Sequence, residues 1–256
     1  MPFVYAVAGK GGTGKSTLAA LIVRSLRRAG RVPILAVDAD PNTTLDAALG
    51  LRPARSVSDV LDATKGMREI PNNVPRATYL EYQLADCLAE GRGVDLIVMG
   101  RPEGSGCYCA ANHLLREHLD RLIAGYPFVV MDNAAGMEHL SRRTTRDVDL
   151  LFIVSDPTLT GIRAARRIQA LVRELDLAVR EAVLVLNRAA AVPPAVAQEI
   201  EASGLRLAGL VPEDPQIVAL ELEGRPVLDL PDDAPAVRAA EAILTAAQTA
   251  GAGVAS

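Results

Sequence analysis

The stretch Gly9-Lys10-Gly11-Gly12-Thr13-Gly14-Lys15-Ser16-Thr17 decides the fold of this chain. It follows an apolar run, Val4 to Ala8, and opens a segment of helical periodicity, Ser16 to Ala29, which Gly30 ends. The stretch fits the pattern G-x-x-x-x-G-K-[ST], in which glycines let backbone N–H groups surround phosphate oxygens at a helix N-terminus. It therefore predicts a buried strand, a phosphate-binding loop and a helix, in that order.

Apolar runs and helical patterns alternate along the rest of the chain. Continuous apolar runs are typical of strands that are buried on both faces of a parallel sheet. The alternation predicts an α/β fold: a doubly wound, mostly parallel sheet flanked by helices, as in P-loop NTPases. The predicted strands are Val4 to Ala8, Val32 to Val37, Val94 to Met99, Phe128 to Met131, Leu150 to Val154, Ala182 to Leu186 and Leu205 to Leu210.

Residues 1–256 are predicted to form a single domain, because no low-complexity block or Pro/Gly/Ser-rich linker divides the chain. A mainly helical insertion is expected at about 56–93, over one edge of the sheet. An alanine-rich helix, Ala234 to Ala250, is expected to pack on the sheet, and residues 251–256 are expected to form a flexible tail.

The composition argues against several classes of protein. The 256 residues include 27 Lys and Arg against 31 Asp and Glu, a net charge of −4, which argues against a large nucleic-acid-binding surface. No apolar run approaches the roughly 20 residues that span a bilayer. The N-terminus lacks the basic region of a signal peptide. We expect a cytoplasmic protein with neither membrane nor nucleic acid as a partner.

The phosphate loop carries the first candidate site residues. Lys15 can reach the β- and γ-phosphates, the Ser16 hydroxyl can ligate Mg²⁺, and Thr17 lies where it can reach the α-phosphate. The sequence therefore predicts binding of ATP and Mg²⁺. The residues assigned to the nucleotide are Gly11, Gly12, Thr13, Gly14, Lys15, Ser16 and Thr17.

A second lysine, Lys10, stands at the start of the loop, which reads Lys-Gly-Gly-Thr-Gly-Lys-Ser-Thr. In this feature the chain resembles the deviant Walker A ATPases, the family of MinD, ParA and the nitrogenase iron protein. The resemblance implies an ATPase that forms a homodimer with nucleotide between its subunits. It also implies that Lys10 and Lys15 are catalytic, with Lys10 acting on the phosphates of the partner subunit.

Two carboxylates follow the second predicted strand in Val37-Asp38-Ala39-Asp40-Pro41-Asn42, which resembles switch I of that family. The resemblance assigns Asp40 to the attacking water as a catalytic residue, and a carboxylate beside a phosphate can orient water. Asp38 is expected to support either the Mg²⁺ shell or the phosphate loop. The same segment also fits a turn with Asx hydrogen bonds.

Another carboxylate, Asp132, ends the strand Phe128 to Met131. The segment Val129 to Gly136 resembles a Walker B strand followed by switch II, which implies that Asp132 holds Mg²⁺ and that Asn133 and Gly136 belong to switch II. The family reads adenine at two later strand ends, here Asn187 and Pro212-Glu213. Both of these segments are equally typical of plain turns.

Two of the three cysteines, Cys107 and Cys109, are separated by one residue in a glycine-rich segment after the third predicted strand. Two thiolates cannot close a metal shell alone, whereas a two-fold dimer supplies four soft sulfurs, which suit Zn²⁺ or Ni²⁺. The pair also fits small buried residues of a loop.

Residues 99–112, which read Met-Gly-Arg-Pro-Glu-Gly-Ser-Gly-Cys-Tyr-Cys-Ala-Ala-Asn, resemble the signature of the CooC group of nickel-inserting ATPases. The segment Met131 to Arg143 resembles the switch II of the same group. The resemblance implies that Cys107 and Cys109 of two subunits hold Ni²⁺ and deliver it to carbon monoxide dehydrogenase as the client. Zn²⁺ can take the place of Ni²⁺ on such ligands.

Three other functions stay open at this point. A partition or septum-positioning switch would bind DNA or membrane, but Arg238 is the only basic residue after position 230, unlike a basic membrane-surface helix. An iron–sulfur reductase like the nitrogenase iron protein would have two distant cysteines per subunit, whereas a single residue separates Cys107 from Cys109. A passive dimer joined by structural zinc is the third.

The remaining candidate ligands carry weaker signals. Cys87 falls in a helical pattern, Tyr79 to Leu88, and is expected to pack as a small hydrophobe. His113 and His118 are five residues apart and do not share a helix face, so we expect solvated side chains, with His113 as a less favoured auxiliary ligand.

Overall fold

A single sheet organises the computed structural model, which describes residues 1–65, 76–101, 117, 119–134 and 147–252. Within these ranges the sheet has eight strands. They are β1 (Phe3–Gly9), β2 (Ile34–Ala39), β3 (Leu88–Ala89), β4 (Val94–Val98), β5 (Phe128–Asn133), β6 (Asp147–Ser155), β7 (Ala178–Asn187) and β8 (Leu207–Val211).

The strand order, β3-β4-β2-β5-β1-β6-β7-β8, places β1 near the centre of the sheet. All neighbouring strands are parallel except β3 and β4. From β1 the chain runs outward to one edge, returns at β5, and then crosses to the other half of the sheet. The loops that follow β1, β2 and β5 therefore lie at one edge, where open α/β sheets bind their ligands.

Helices connect the strands and cover the sheet. The longest of them begin and end at residues that the periodicity of the sequence indicates. The described helices are α1 (Lys15–Arg28), α2 (Leu45–Leu49), α3 (Val57–Lys65), α4 (Arg76–Ala85), α5 (Leu159–Glu174), α6 (Pro194–Ser203), α7 (Pro215–Leu222) and α8 (Pro235–Ala252), with further helical residues at 117 and 119–124 and a 3-10 turn at Val227–Asp229.

Two apolar layers cover the two faces of the sheet. One layer joins α1 and α8 to strand residues such as Val7 and Phe152. The other joins α5 and α6 to strand residues such as Ala6 and Ile153. Because successive strand side chains point to opposite faces, burial on both faces explains why the strands read as continuous apolar runs.

The predicted α/β fold and all seven predicted strands are confirmed, with their ends shifted by a few residues. Sequence reasoning missed β3, which has only two residues and pairs antiparallel with β4. It also gave no prediction for α2, α6 and α7. These elements have two to ten residues, and segments this short carry too little periodicity to be recognised without their tertiary contacts.

The predicted helix Ser16 to Ala29 is confirmed as α1, and Leu159 to Leu175 as α5. The alanine-rich helix is confirmed as α8, which packs against α1 and β8. There Gly209 permits close contact, because a Cβ at this position would lie 2.6 Å from Cγ1 of Ile243. Of the predicted helix Ala110 to Ala124, only residues 117 and 119–124 fall in the described ranges, and these are helical.

None of the helices in the described ranges combines the length and the apolar character needed to cross a bilayer.

Candidate nucleotide-binding site

The phosphate loop lies between the end of β1 and the start of α1, as predicted. Gly12 and Gly14 adopt the left-handed conformation, with φ of 79° and 86°, which other residues adopt only with strain. A Cβ added to Gly11 or Gly12 would meet no atom within 4 Å, so the loop is open at these two residues. The loop can therefore surround a phosphate group with backbone N–H donors.

Hydrogen bonds hold the phosphate loop in place. Asn187 Nδ2 donates to the carbonyl of Thr13 at 2.8 Å, and Thr13 Oγ1 donates to the carbonyl of Lys10 at 2.8 Å. A Cβ at Gly14 would lie 2.2 Å from Asn187 Nδ2. These contacts fix the loop before any ligand is bound, which lowers the entropic cost of binding phosphate.

Lys15 is buried at the start of α1, with its Nζ 3.4 Å from Oδ2 of Asp40. Asp40 Oδ1 accepts from the backbone N–H and the Nδ2 of Asn42, each at 3.0 Å. Two of the three predicted catalytic residues thus form a nearly buried ion pair at the loop. Lys10 is exposed, and its carbonyl closes the turn with Thr13.

Asp132 ends β5 and is fully buried. Its Oδ2 accepts a hydrogen bond from the Ser16 hydroxyl, while its Oδ1 has no hydrogen-bond partner among the described residues. Burial, assisted by Asp38 and Asp40, raises the pKa of Asp132 to about 7 against the opposing effects of Ser16 and Lys15. A buried carboxylate with a free oxygen is an energetically costly group unless a cation accompanies it.

Asp38 is also fully buried, but both of its oxygens are occupied. Oδ1 accepts from the Asp40 N–H at 3.1 Å, and Oδ2 accepts from the N–H groups of Thr44 and Leu45 at 3.1 and 3.0 Å. Burial raises the pKa of Asp38 to about 6 despite these bonds. The described contacts of Asp38 are those of a residue that holds the switch I segment, and its support of Mg²⁺ stays a prediction.

Asn133 is fully buried at the end of β5. Its Nδ2 donates to the carbonyls of Val7 and Met131 at 3.3 and 3.4 Å, whereas its Oδ1 meets no donor within the described ranges. Gly136, the other residue assigned to switch II, lies outside the described residues.

The described residues fit Mg²⁺. The Ser16 hydroxyl and the free Oδ1 of Asp132 are oxygen ligands of the kind that Mg²⁺ prefers. Within the described ranges, no three or more His, Cys, Asp or Glu side chains are grouped so as to hold a metal ion alone. This is expected of Mg²⁺, which takes one or two carboxylates, waters and the phosphates of its nucleotide.

The two segments assigned to adenine are neighbours at the edge of the sheet. Asn187 ends β7 and lies opposite Val211, the last residue of β8, so that Pro212 and the exposed Glu213 follow directly. The Nδ2 of Asn187 donates to the carbonyl of Thr13, and its Oδ1 is the acceptor atom of the same amide. The assignment of adenine to these residues stays a prediction.

The model of the CbiA family, the CobQ/CobB/MinD/ParA nucleotide binding domain, matches residues 4–227. The chain belongs to this family. The match spans the phosphate loop, the three carboxylates and Asn187, so the geometry above is that of an ATP-binding P-loop NTPase of the MinD/ParA family. Such an enzyme hydrolyses ATP, which confirms the predicted activity.

Two curated relatives match almost the whole chain. An uncharacterized ATP-binding protein of Methanocaldococcus jannaschii is 38% identical over 237 residues, which cover 90% of this chain and 92% of that protein. The carbon monoxide dehydrogenase accessory protein CooC of Rhodospirillum rubrum is 33% identical over 239 residues, or 88% and 89% of the two chains. One relative is named for carbon monoxide dehydrogenase and the other is uncharacterized. These relatives therefore establish the family of this chain but not a client enzyme.

Among solved structures, the cell division ATPase MinD of Pyrococcus furiosus is similar to this ATPase with a TM-score of 0.67. The comparison covers 98% of this chain and 100% of MinD at 22% identity. At this level of identity the likeness confirms the predicted fold.

The cysteines of this ATPase divide into two sets. Cys107 and Cys109 lie outside the described residues, as do His113 and His118. Cys87 is described: it is fully buried in an apolar layer, just after α4 ends, and burial raises the pKa of its thiol to about 11. Its predicted role as a small hydrophobe is confirmed, although it follows the helix instead of lying in it.

Sequence reasoning missed two residues of the site region. Asp214 is buried and joins two helix starts, accepting from the N–H groups of Gln216 in α7 and Ala236 in α8. Thr44 precedes α2, and its hydroxyl lies 2.6 Å from that of Ser16. An aspartate or threonine before a helix is a recognisable N-cap signal, but its second contact depends on the tertiary fold.

Proposed function

We propose that this ATPase is a metallochaperone that binds Ni²⁺ through Cys107 and Cys109 at a dimer interface and delivers it to carbon monoxide dehydrogenase. The observation that carries the proposal is the Cys-x-Cys pair in a chain that is 33% identical to CooC, a carbon monoxide dehydrogenase accessory protein, over 88% of its length. In this account Ni²⁺ is the cargo, and ATP hydrolysis drives the cycle.

The residues around the phosphate loop have separate roles in hydrolysis. Lys15 binds the β- and γ-phosphates, and Asp40, now paired with Lys15 at 3.4 Å, orients the attacking water once Lys15 turns to the phosphates. Ser16 and Asp132 hold Mg²⁺, which when bound neutralises charge on those phosphates.

Adenine recognition and dimerisation complete these roles. Oδ1 of Asn187 accepts from the amino group of adenine beside Pro212 and Glu213. Lys10, exposed at the loop, reaches the phosphates of the partner subunit. The charge of Lys10 reaches the partner's phosphates only in the closed dimer, so ATP favours dimerisation. Hydrolysis removes the γ-phosphate, and the dimer then opens.

The start of the cysteine-containing segment is tied to switch I. The N–H of Met99, after β4, donates to the carbonyl of Asp38 at 2.8 Å, and the carbonyl of Met99 accepts from Ser58 at 3.0 Å. Gly100 follows with φ of 71°, packed so closely that a Cβ would lie 2.2 Å from Ser58 Oγ. A movement of switch I is thereby transmitted to the residue that leads into 102–110, which supports coupling between nucleotide and nickel.

Four thiolates from two subunits give Ni²⁺ a square-planar sulfur shell. One chain provides two of these thiolates, so Ni²⁺ binding requires the dimer, and Ni²⁺ in turn stabilises the dimer. The same four ligands would bind Zn²⁺ in a tetrahedral shell, and metal supply then decides which ion is carried.

The test is the stoichiometry of Ni²⁺ binding in the purified protein, with gel filtration to follow the dimer. We expect one Ni²⁺ per two chains, lost in the Cys107→Ser/Cys109→Ser double variant. Cys87→Ser is the matched control, because this thiol is buried in an apolar layer, and the variant should bind nickel like the wild type. Nickel binding that persists in the double variant would contradict the proposal.

The second candidate is a positioning or partition switch without metal delivery, which the similarity in fold to the cell division ATPase MinD favours. A vesicle flotation assay and a DNA-binding assay, each with ATP, separate the two. ATP-dependent binding to vesicles or DNA, combined with no nickel binding, would favour the switch.

A further inference from the structure

Thr44 sits at the start of α2 without acting as its cap. A threonine in this place normally accepts a hydrogen bond from an N–H group of the first helical turn. The hydroxyl of Thr44 makes no such bond, and Asp38 Oδ2 accepts from the Thr44 and Leu45 N–H groups instead. The side chain of Thr44 therefore does not cap α2.

The hydroxyl of Thr44 is directed at the phosphate loop. It lies 2.6 Å from the hydroxyl of Ser16, and Ser16 donates its single hydrogen to Asp132 Oδ2. Thr44 must then be the donor to Ser16, since each hydroxyl has one hydrogen. The three side chains form one directed chain of oxygens, from switch I through the phosphate loop to the end of β5.

The backbone before Thr44 is strained. Thr43 has φ of 46°, in the left-handed region that a β-branched residue adopts only at a cost. Its N–H donates to the Asp40 carbonyl at 3.0 Å, so the turn is closed on switch I itself. This strained turn places Thr44 where its hydroxyl meets that of Ser16, and such strain is concentrated at functional sites.

We propose that the Thr44 hydroxyl is a further oxygen of the magnesium site, which connects the ion to switch I. Adjacent oxygens of an octahedral Mg²⁺ shell lie about 3 Å apart, because the bonds to the ion are about 2.1 Å long. The 2.6 Å between the Ser16 and Thr44 hydroxyls is close to this spacing. Thr44 is exposed, so an ion and its waters can reach it.

Ser16 and Thr44 would each hold the ion through a lone pair of the hydroxyl oxygen. The Ser16 lone pair that accepts from Thr44 in this structure would then serve the ion, and the Thr44 hydrogen would have to find another acceptor. The inference concerns the ATPase site and does not depend on nickel.

The test measures the affinity for a fluorescent ADP analogue, by anisotropy, as free Mg²⁺ is titrated and again in EDTA. Thr44→Val keeps the shape of the side chain and removes the hydroxyl, and Thr44→Ser keeps the hydroxyl. We expect Thr44→Val to raise the Mg²⁺ concentration for half-maximal binding about tenfold, with EDTA binding unchanged. Thr44→Ser should remain within about twofold of the wild type.

Two results would overturn the inference. The first is a Thr44→Val variant whose Mg²⁺ titration matches that of the wild type. The second is an equal loss of affinity with Mg²⁺ and in EDTA, which would mean that Thr44 only shapes switch I. Thr44→Ala gives the same readout if Thr44→Val does not fold, as judged by thermal unfolding.

Discussion

Asp38 and Asp132 lie opposite each other on the paired strands β2 and β5, and they differ in one respect. Both are fully buried, and burial raises both pKa values, to about 6 and about 7. Three backbone N–H groups occupy both oxygens of Asp38, whereas one oxygen of Asp132 has no hydrogen-bond partner in the part of the chain that the structure describes. The first carboxylate is satisfied by its own chain, and the second is not.

The difference separates a structural carboxylate from a binding one. Buried polar groups in proteins are hydrogen-bonded with few exceptions, and an exception calls for an explanation. We propose that a magnesium ion is that explanation for Asp132, whereas the hydrogen bonds of Asp38 need none. Sequence alone assigned Mg²⁺ to both, because both are carboxylates at the ends of neighbouring strands.

The largest expected effect is that of Asp132→Asn. The amide keeps the shape of the side chain but removes the charge that holds Mg²⁺, so we expect ATP hydrolysis to fall about 100-fold or more. In EDTA the variant should unfold at a higher temperature than the wild type at neutral pH, since an uncompensated buried charge is lost.

Steady-state ATPase assays and thermal unfolding in EDTA measure these two effects. An Asp132→Asn variant that retains magnesium-dependent hydrolysis would erase the distinction between the two carboxylates.

Asp38→Asn should act in the opposite way, on the fold. The amide cannot accept at both ends, so bonds from Asp40, Thr44 or Leu45 are lost. We expect the free energy of unfolding to fall by about 1–3 kcal/mol. Denaturant titration in EDTA measures it, and a variant as stable as the wild type would show that the backbone bonds of Asp38 are not structural.

The phosphate loop allows the same contrast for glycines. Gly14→Ala places a Cβ against Asn187 at a φ of 86°, and we expect it to cost about 1–2 kcal/mol of stability. Gly11→Ala meets no atom within 4 Å and should change stability by less than about 0.5 kcal/mol while weakening ATP binding. Equal losses of stability in the two variants would contradict the difference in packing between Gly11 and Gly14.

The smallest expected effect concerns Cys87. Its thiol is buried and its pKa is raised to about 11, so the reactive thiolate is scarce at neutral pH. We expect Cys87 to resist a thiol reagent in the native protein and to react after denaturation. In the Cys107→Ser/Cys109→Ser variant Cys87 is the remaining thiol, so all labelling by the reagent reports on Cys87. Fast native labelling there would contradict its burial.

Much of the fold could be predicted from the sequence because each signal is local. The phosphate loop joins β1 to α1, and the apolar runs mark strands that are buried on both faces. The order of the strands and the pairing of β3 depend on contacts between distant residues, which periodicity does not encode.

The residue types of the site could be predicted from the sequence, but one contact between them could not. Ser16, Asp40 and Asp132 were expected near the phosphates, and the structure brings them together with Lys15. The contact of Thr44 with Ser16 joins residues 28 positions apart, and it depends on an unusual φ at Thr43. A backbone conformation of this kind in a β-branched residue cannot be inferred from residue type.

The measurement that tests the account most directly is the affinity for Ni²⁺ with and without Mg²⁺ and ATP. If the two sites are coupled through switch I and the dimer, ATP changes the nickel affinity at least about fivefold, and Ni²⁺ changes the ATP affinity by the same factor. A nickel affinity that is unchanged by ATP would contradict the coupling and leave an ATPase whose cysteine pair serves another purpose.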